Sequence, residues 1–404
     1  MSQQIPEGHV GCLNFEQEKK LQEAWLQLGA ICGVLPPQGI DVSRIKTSTV
    51  DGATDDNDKY GQTKEFQQYL AEEPPEGIRK TIWSMTKCDH PDSLVLRFLR
   101  ARKWHVNKAI IMLVSTIKWR QDMRIEDNVT LQGEAVALKE SMTDDENGFM
   151  LQYRSGKSYV RGLDLHYRPV YIVKARLHNP SAQSDKAMET YILHTIESIR
   201  VLVRDPYDTA CLIFDLTGFG LKNMDFAAVR FIVNVFEARY PETLGVVLVH
   251  NAPYIFQGIW KIIKGWLDPV VAAKIVFTRS TADLTKYIAS KSLQVEYGGD
   301  ESWEYRYVEP NPGENGKLDD HDARDKIQAE RDEIIHMFET ATAEWVLLDP
   351  ETQAAKEVAS KRAELAEKLR VNYWQLDPYI RARTFYDRIG VLDQDGKVNF
   401  AKAA

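Results

Sequence analysis

Between residues 159 and 278, strand-like and helix-like segments alternate, and the strand-like ones are apolar almost throughout. PVYIVKARL (Pro169 to Leu177), ACLIFDL (Ala210 to Leu216), LGVVLVH (Leu244 to His250) and KIVFT (Lys274 to Thr278) show no in–out alternation. DFAAVRFIVNVFEARY (Asp225 to Tyr240) reads as a helix ended by Pro241, and Tyr254 to Leu267 as another. A strand that is greasy on both faces has to be covered on both, which a parallel sheet flanked by helices achieves. The pattern predicts an α/β fold with a mainly parallel sheet.

The remainder of the 404 residues is helical in pattern. Phe15, Leu21, Trp25 and Leu28 form one stripe of a helix over 14–30. Ile110, Leu113, Val114 and Ile117 fall at i, i+3, i+4 and i+7 of another, for which Asn107 is a suitable cap. Residues 41–62 are polar and acidic and cannot bury enough surface to order themselves, so they read as a flexible linker. Two long helical patterns follow at about 322–348 and 350–373. The expected segments are an N-terminal amphipathic helix in 1–40, the linker 41–62, a helical lobe 63–140, an α/β domain 150–309 and a C-terminal helical extension 318–404.

The net charge of −8 argues against general nucleic-acid binding. It hides a basic run from Arg79 to Arg124, with 11 Lys/Arg against 3 Asp/Glu. That run fits either a solvated helix face or an anionic headgroup or membrane surface. Cys12, Cys32, Cys88 and Cys211 form no CxxC pair, the first residues carry no secretory pattern, and no stretch reaches the roughly 18 apolar residues of a membrane span. The expected setting is cytoplasmic, with free thiols and only peripheral contact with membranes.

Recognisable catalytic chemistry is missing from the text of the sequence. There is no phosphate loop, no GxGxxG after a strand, no GxSxG elbow, no HExxH and no His/Cys metal spacing. No enzyme activity, cofactor or metal is expected; a Ser, His and acid assembled from distant positions would revive an enzyme reading.

The segment Tyr254 to Leu267 carries too much apolar surface for one packing face. Ile255, Ile259, Ile262, Ile263, Trp266 and Leu267 fill a stripe that Phe256 and Trp260 widen beyond the ~100° a sheet can cover. Gly258 and Gly265 weaken it by up to ~1 kcal/mol each, and Pro253 and Pro269 bracket it. Pattern alone favours a fully buried core helix over a mobile lid.

LVLRFLRARKW, RPVYIV, LIFDLTGFG, RYPETLG, VHNAPYIF, WLDPVVAAKI and LQVEYGG, in this order over roughly 80–300, resemble the CRAL-TRIO lipid-binding family. The likeness is greatest to its fungal phosphatidylinositol transfer branch, including a subgroup with a C-terminal helical extension. The resemblance implies a CRAL-TRIO fold: a helical N-terminal lobe, then a mixed, mainly parallel five-stranded sheet flooring a lipid cavity. It makes the 254–267 helix the gate, with Ile255, Phe256, Ile259, Trp260, Ile263 and Trp266 as its apolar residues. It assigns a phosphatidylinositol headgroup to Arg102, Glu242 and Lys274. Arg and Lys suit a phosphodiester. A carboxylate accepts from ring hydroxyls, which choline cannot offer. Taken singly, Arg102 reads as a solvated helix arginine and Glu242 as a surface loop acid; standing together in their motif frames, they read as a site.

Departures from the family pattern matter equally. Ala210 and Leu212 stand where the dual-ligand members carry hydroxyls, and Ile196 where a tyrosine is expected. Val271 replaces a threonine near the inositol phosphate. Phosphatidylcholine binding is therefore expected to be weak or lost. The implied function is non-enzymatic exchange of phosphatidylinositol between membranes, or its presentation to a phosphoinositide kinase, by a monomer meeting the membrane transiently. The competing readings are a carrier or sensor of a sterol-, squalene- or isoprenoid-like molecule, and an interaction module with a merely structural lipid site.

Overall fold

A computed structural model describes residues 5–34, 58–204 and 207–402, which divide into two compact units. The first comprises Met1–Glu126 with Asp320–Tyr379, the second Asp127–Asp319 with Ile380–Ala404. This division cuts across the C-terminal extension expected at 318–404. The helices His321–Trp345 and Gln353–Leu376 share the core of the first unit, while 380–404 belongs with the sheet unit. Most of the expected linker, 41–57, lies outside the described residues; helix resumes at Gln62.

Among the described residues the regular elements of the first unit are helices, with one isolated bridge between His9 and Cys12. Leu21, Trp25 and Leu28 of the Phe15–Ile31 helix pack with Leu96, Leu99, Ile110, Phe338 and Trp345. The stripe Ile110, Leu113, Val114, Ile117 is fully buried, as its spacing predicts. The expected cap is corrected: His105 is the N-cap of Val106–Asp122, and Asn107 instead accepts from Gln27 Nε2 at 2.9 Å. Asp92 is buried between the Trp25 indole N–H, 2.6 Å away, and a bidentate Arg362 guanidinium at 2.6 and 3.0 Å. The basic run is partly neutralised here, since Arg79, Arg97, Lys118 and Arg120 pair with Glu339, Asp89, Asp122 and Glu126.

The second unit holds a five-stranded sheet in the order β1 (Ser158–Leu163), β2 (Pro169–Lys174), β3 (Ala210–Asp215), β4 (Leu244–His250) and β5 (Ile275–Thr278). β1 and β2 are antiparallel and the other pairs parallel. β1 has no counterpart among the apolar runs, because SYVRGL places Arg161 and Gly162 in the strand. Strand periodicity divides the side chains between two faces. Tyr159, Val170, Ile172, Cys211, Ile213, Val246 and Leu248 pack with Leu284, Ile288, Leu293 and Tyr297. Ala210, Leu212, Val247 and Val249 pack on the other side with Phe219, Phe256 and Ile259. The second face is unevenly covered: Tyr171, Phe214, Phe236, Trp260, Ile263, Val271 and Ile275 are only partly buried against it.

Candidate functional site

Glu242 and Lys274 meet because β4 and β5 are parallel neighbours, so the residues leading into them emerge at the same end of the sheet. Pro241 stops the Phe226–Ala238 helix, and Glu242 turns the chain into β4 with a left-handed φ of +56°. That conformation is costly for a side chain with a Cβ and tends to persist where function needs it. Lys274 caps the short Pro269–Ala273 helix, and its carbonyl accepts from Val247 N–H at 2.9 Å. The Lys274 Nζ then lies 3.4 Å from Glu242 Oε2. The two side chains are 23% and 26% exposed, neither sealed in nor freely solvated. An ammonium and a carboxylate so placed offer donors to a phosphate and an acceptor to a hydroxyl. Arg102 belongs to the other unit, where it caps Pro91–Ala101 and its Nη2 donates to Gln62 Oε1 at 2.7 Å. It is therefore not a simple solvated arginine.

The helix expected at 254–267 spans Phe256–Lys264, with Gly265 as its C-cap. Trp266 and Leu267 follow in a turn before Pro269–Ala273. It is not a buried core helix. Phe256 and Ile259 reach the sheet face, Trp260, Ile263 and Trp266 are half-buried, and Ile255 and Ile262 are 46% and 49% exposed. Tyr254, just before it, is 85% exposed. Leaving that much aliphatic surface in water forgoes roughly 25 cal/mol per Å², so the surface marks something to be covered. Phe219 meets Phe256 edge-on at 6.0 Å, Trp260 meets Phe277 at 5.3 Å, and Trp266 is held by Phe226 at 6.0 Å and by Arg230 at 4.9 Å. Asp268 N–H donates to Glu237 at 2.6 Å. Upstream, Asn251 adopts φ +53° and its side chain donates to Thr217 at 3.0 Å, a strained entry to the segment.

Ala210 and Leu212 face the same side of the sheet as this helix, and Ile196 is buried on Asp185–Arg200. None carries a polar side-chain atom. Sequence reasoning missed a hydroxyl cluster: Ser158 Oγ lies 2.6 Å from Tyr171 Oη and also bonds Tyr191, and Tyr171 packs on the helix-covered face. Tyr171 is visible within RPVYIV, but its partners come from β1 and a helix twenty residues away in sequence, and no spacing links them. Lys157, His178 and Asp225 form a second unanticipated cluster. Among the described residues there is no grouping of three or more His, Cys, Asp or Glu fit to hold a metal ion, and no helix is long and apolar enough to cross a membrane.

Comparison with known proteins matches residues 153–299 to the CRAL/TRIO domain and 62–115 to the CRAL/TRIO N-terminal domain. The chain is 39% identical to the phosphatidylinositol transfer protein CSR1 of Eremothecium gossypii, over 87% of this chain and 80% of that one. It is 41% identical to a CRAL-TRIO domain-containing protein of Schizosaccharomyces pombe, over 83% and 74%. The crystal structure of Sfh5 is matched at 17% identity with a TM-score of 0.43, over 62% and 90%, a distance at which it adds nothing to the fold seen in this chain.

Proposed function

The chain belongs to the CRAL/TRIO family, and we propose that it binds phosphatidylinositol and carries it between membranes without catalysing a reaction on it. One observation carries this reading. An apolar helix lies half-covered on an incompletely covered sheet face, and a Glu242–Lys274 pair stands at the edge of the same sheet. The helix acts as a gate, its outer face meeting a bilayer peripherally while its inner face covers the acyl chains. Each acyl CH₂ withdrawn from water contributes about 0.8 kcal/mol, which the interior has to match for the lipid to leave a membrane.

In this reading Lys274 holds the headgroup phosphate and Glu242 accepts from inositol hydroxyls. Phosphatidylcholine is a poor ligand because Ala210, Leu212 and Ile196 offer it no hydrogen bonds. The protein works as a monomer and presents its lipid to a phosphoinositide kinase.

The test is native mass spectrometry of the protein purified from cells, with vesicle-to-vesicle transfer of labelled phosphatidylinositol and phosphatidylcholine. A co-purifying phosphatidylinositol and transfer selective for it are expected. A bound sterol or isoprenoid, or no transfer, would replace this reading.

A further inference from the structure

Lys157 is 4% exposed, yet among the described residues its Nζ meets Gln152, His178 and Met188 and no carboxylate. Its Nζ donates to the Gln152 amide oxygen from Asp144–Arg154 and lies 2.9 Å from His178 Nδ1. The sulfur of Met188, 3.7 Å away, and the Tyr191 ring complete the surroundings from Asp185–Arg200. On the far side of the imidazole, His178 Nε2 lies 3.0 Å from Asp225 Oδ2. Asp225 is also the N-cap of Phe226–Ala238, its Oδ1 accepting from Ala228 N–H at 2.9 Å. Asp225 is the charged group acting on Lys157, and Lys157 and Asp225 are those acting on His178.

The bonding pattern admits one arrangement of protons at a time. With Asp225 ionised, His178 donates from Nε2 and turns the Nδ1 lone pair to Lys157. Protonating His178 as well as Lys157 would set two cations 2.9 Å apart. Burial opposes charge on both, pushing the lysine down to about 7 and the imidazole below its usual range.

The same helix that Asp225 caps grips the gate. Phe226 and Arg230 hold Trp266, and Glu237 holds the amide of Asp268. We propose that the Lys157–His178–Asp225 chain is a proton-operated latch, in which protonation releases the N-terminus of the Phe226–Ala238 helix and with it the C-terminal end of the gate. This rests on the gate reading above.

The direction follows from linkage. The closed pocket disfavours the lysine charge, and an opened one, with water admitted, restores its ordinary basicity. Opening therefore binds a proton, and acidification favours it. Taking the ordinary lysine value for the open form, the opening equilibrium rises about tenfold between pH 8 and pH 6 and levels off below that. An anionic bilayer with a surface potential of about −30 mV lowers the local pH by about half a unit, so the latch loosens where lipid is exchanged.

Hydrogen exchange on the full chain between pH 6 and pH 8 tests this. Protection of 226–240 and 256–268 is read relative to β3 (Ala210–Asp215) of the same unit, which cancels intrinsic rates and the stability of that unit. The wild type should lose about tenfold relative protection at pH 6, and Lys157→Met and His178→Gln should be flat. A flat wild type, or an undiminished response in Lys157→Met, overturns the latch. If one variant fails to fold, the other decides. A response abolished by substitution supports the latch even where phosphatidylinositol transfer fails. Normal transfer with pH-independent exchange overturns the latch and leaves the gate standing.

Discussion

Replacing Lys274 by Ala should separate binding from stability. The Lys274–Glu242 contact is 3.4 Å long and each side chain is about a quarter exposed. An ion pair this open contributes roughly 0.2–1 kcal/mol to folding, so the urea midpoint should barely move. Toward a phosphodiester the same ammonium makes a charge-assisted hydrogen bond worth about 1.5–3 kcal/mol, and its loss should weaken phosphatidylinositol binding by roughly 10- to 150-fold. Glu242→Gly adds a sharper signature. It removes the acceptor for the inositol hydroxyls and also relieves a left-handed backbone at φ +56°, which costs about 1–2 kcal/mol with a side chain and little for glycine. The greater chain freedom of unfolded glycine offsets part of that gain. Binding should fall while stability holds or rises slightly. The assays are vesicle transfer of labelled phosphatidylinositol, lipid occupancy by native mass spectrometry, and urea unfolding. Transfer within twofold of wild type for both variants would refute the headgroup assignment. A stability loss above about 2 kcal/mol in Lys274→Ala would show the pair to be structural instead.

Lys157→Met should stabilise the protein in acid. Below about pH 7 the native state carries a buried charge; above it the unfolded chain binds the extra proton, so wild-type stability rises with pH toward the ordinary lysine range. The variant lacks that slope, and its advantage over wild type, read from urea midpoints, should shrink by about 3 kcal/mol between pH 6 and pH 9. Asp92→Ala should cost about 3–5 kcal/mol, since Arg362 is left buried without its partner. Burial alone would raise the Asp92 carboxyl, but Arg362, His90 and Trp25 outweigh it and hold it low. Its contribution is thus present above the usual aspartate range and lost as pH falls through the depressed value, so the variant should show a shallower acid limb in urea titrations. Ala210→Ser with Leu212→Thr should raise phosphatidylcholine loading in native mass spectra; flat loading would mean that Ile196 alone is enough to exclude it.

Burial of continuous apolar runs is a local property, and it was legible. Four of the five strands, the long C-terminal helices and the parallel order follow from residues such as Cys211 to Phe214 and Val246 to Val249, which have no polar face to turn to water. β1 was not legible, because Arg161 enters the strand paired with Glu301 at 2.9 Å, a partner 140 residues away. The motif frames picked out Glu242 and Lys274, but their 3.4 Å approach depends on two parallel strands starting side by side.

The chain's own text determined that a greasy helix must exist near residue 260, since its apolar content exceeds one packing face. Only the tertiary structure decided that the excess stays half-exposed, because coverage depends on which neighbours arrive, and here they reach Phe256, Ile259, Trp260, Ile263 and Trp266 but leave Ile255 and Ile262 about half-exposed. The same holds for Lys157, His178 and Asp225. Individually none of them stands out, and their coupling arises when the residue leading into β1 and a helix N-cap converge within 3.0 Å of the His178 imidazole.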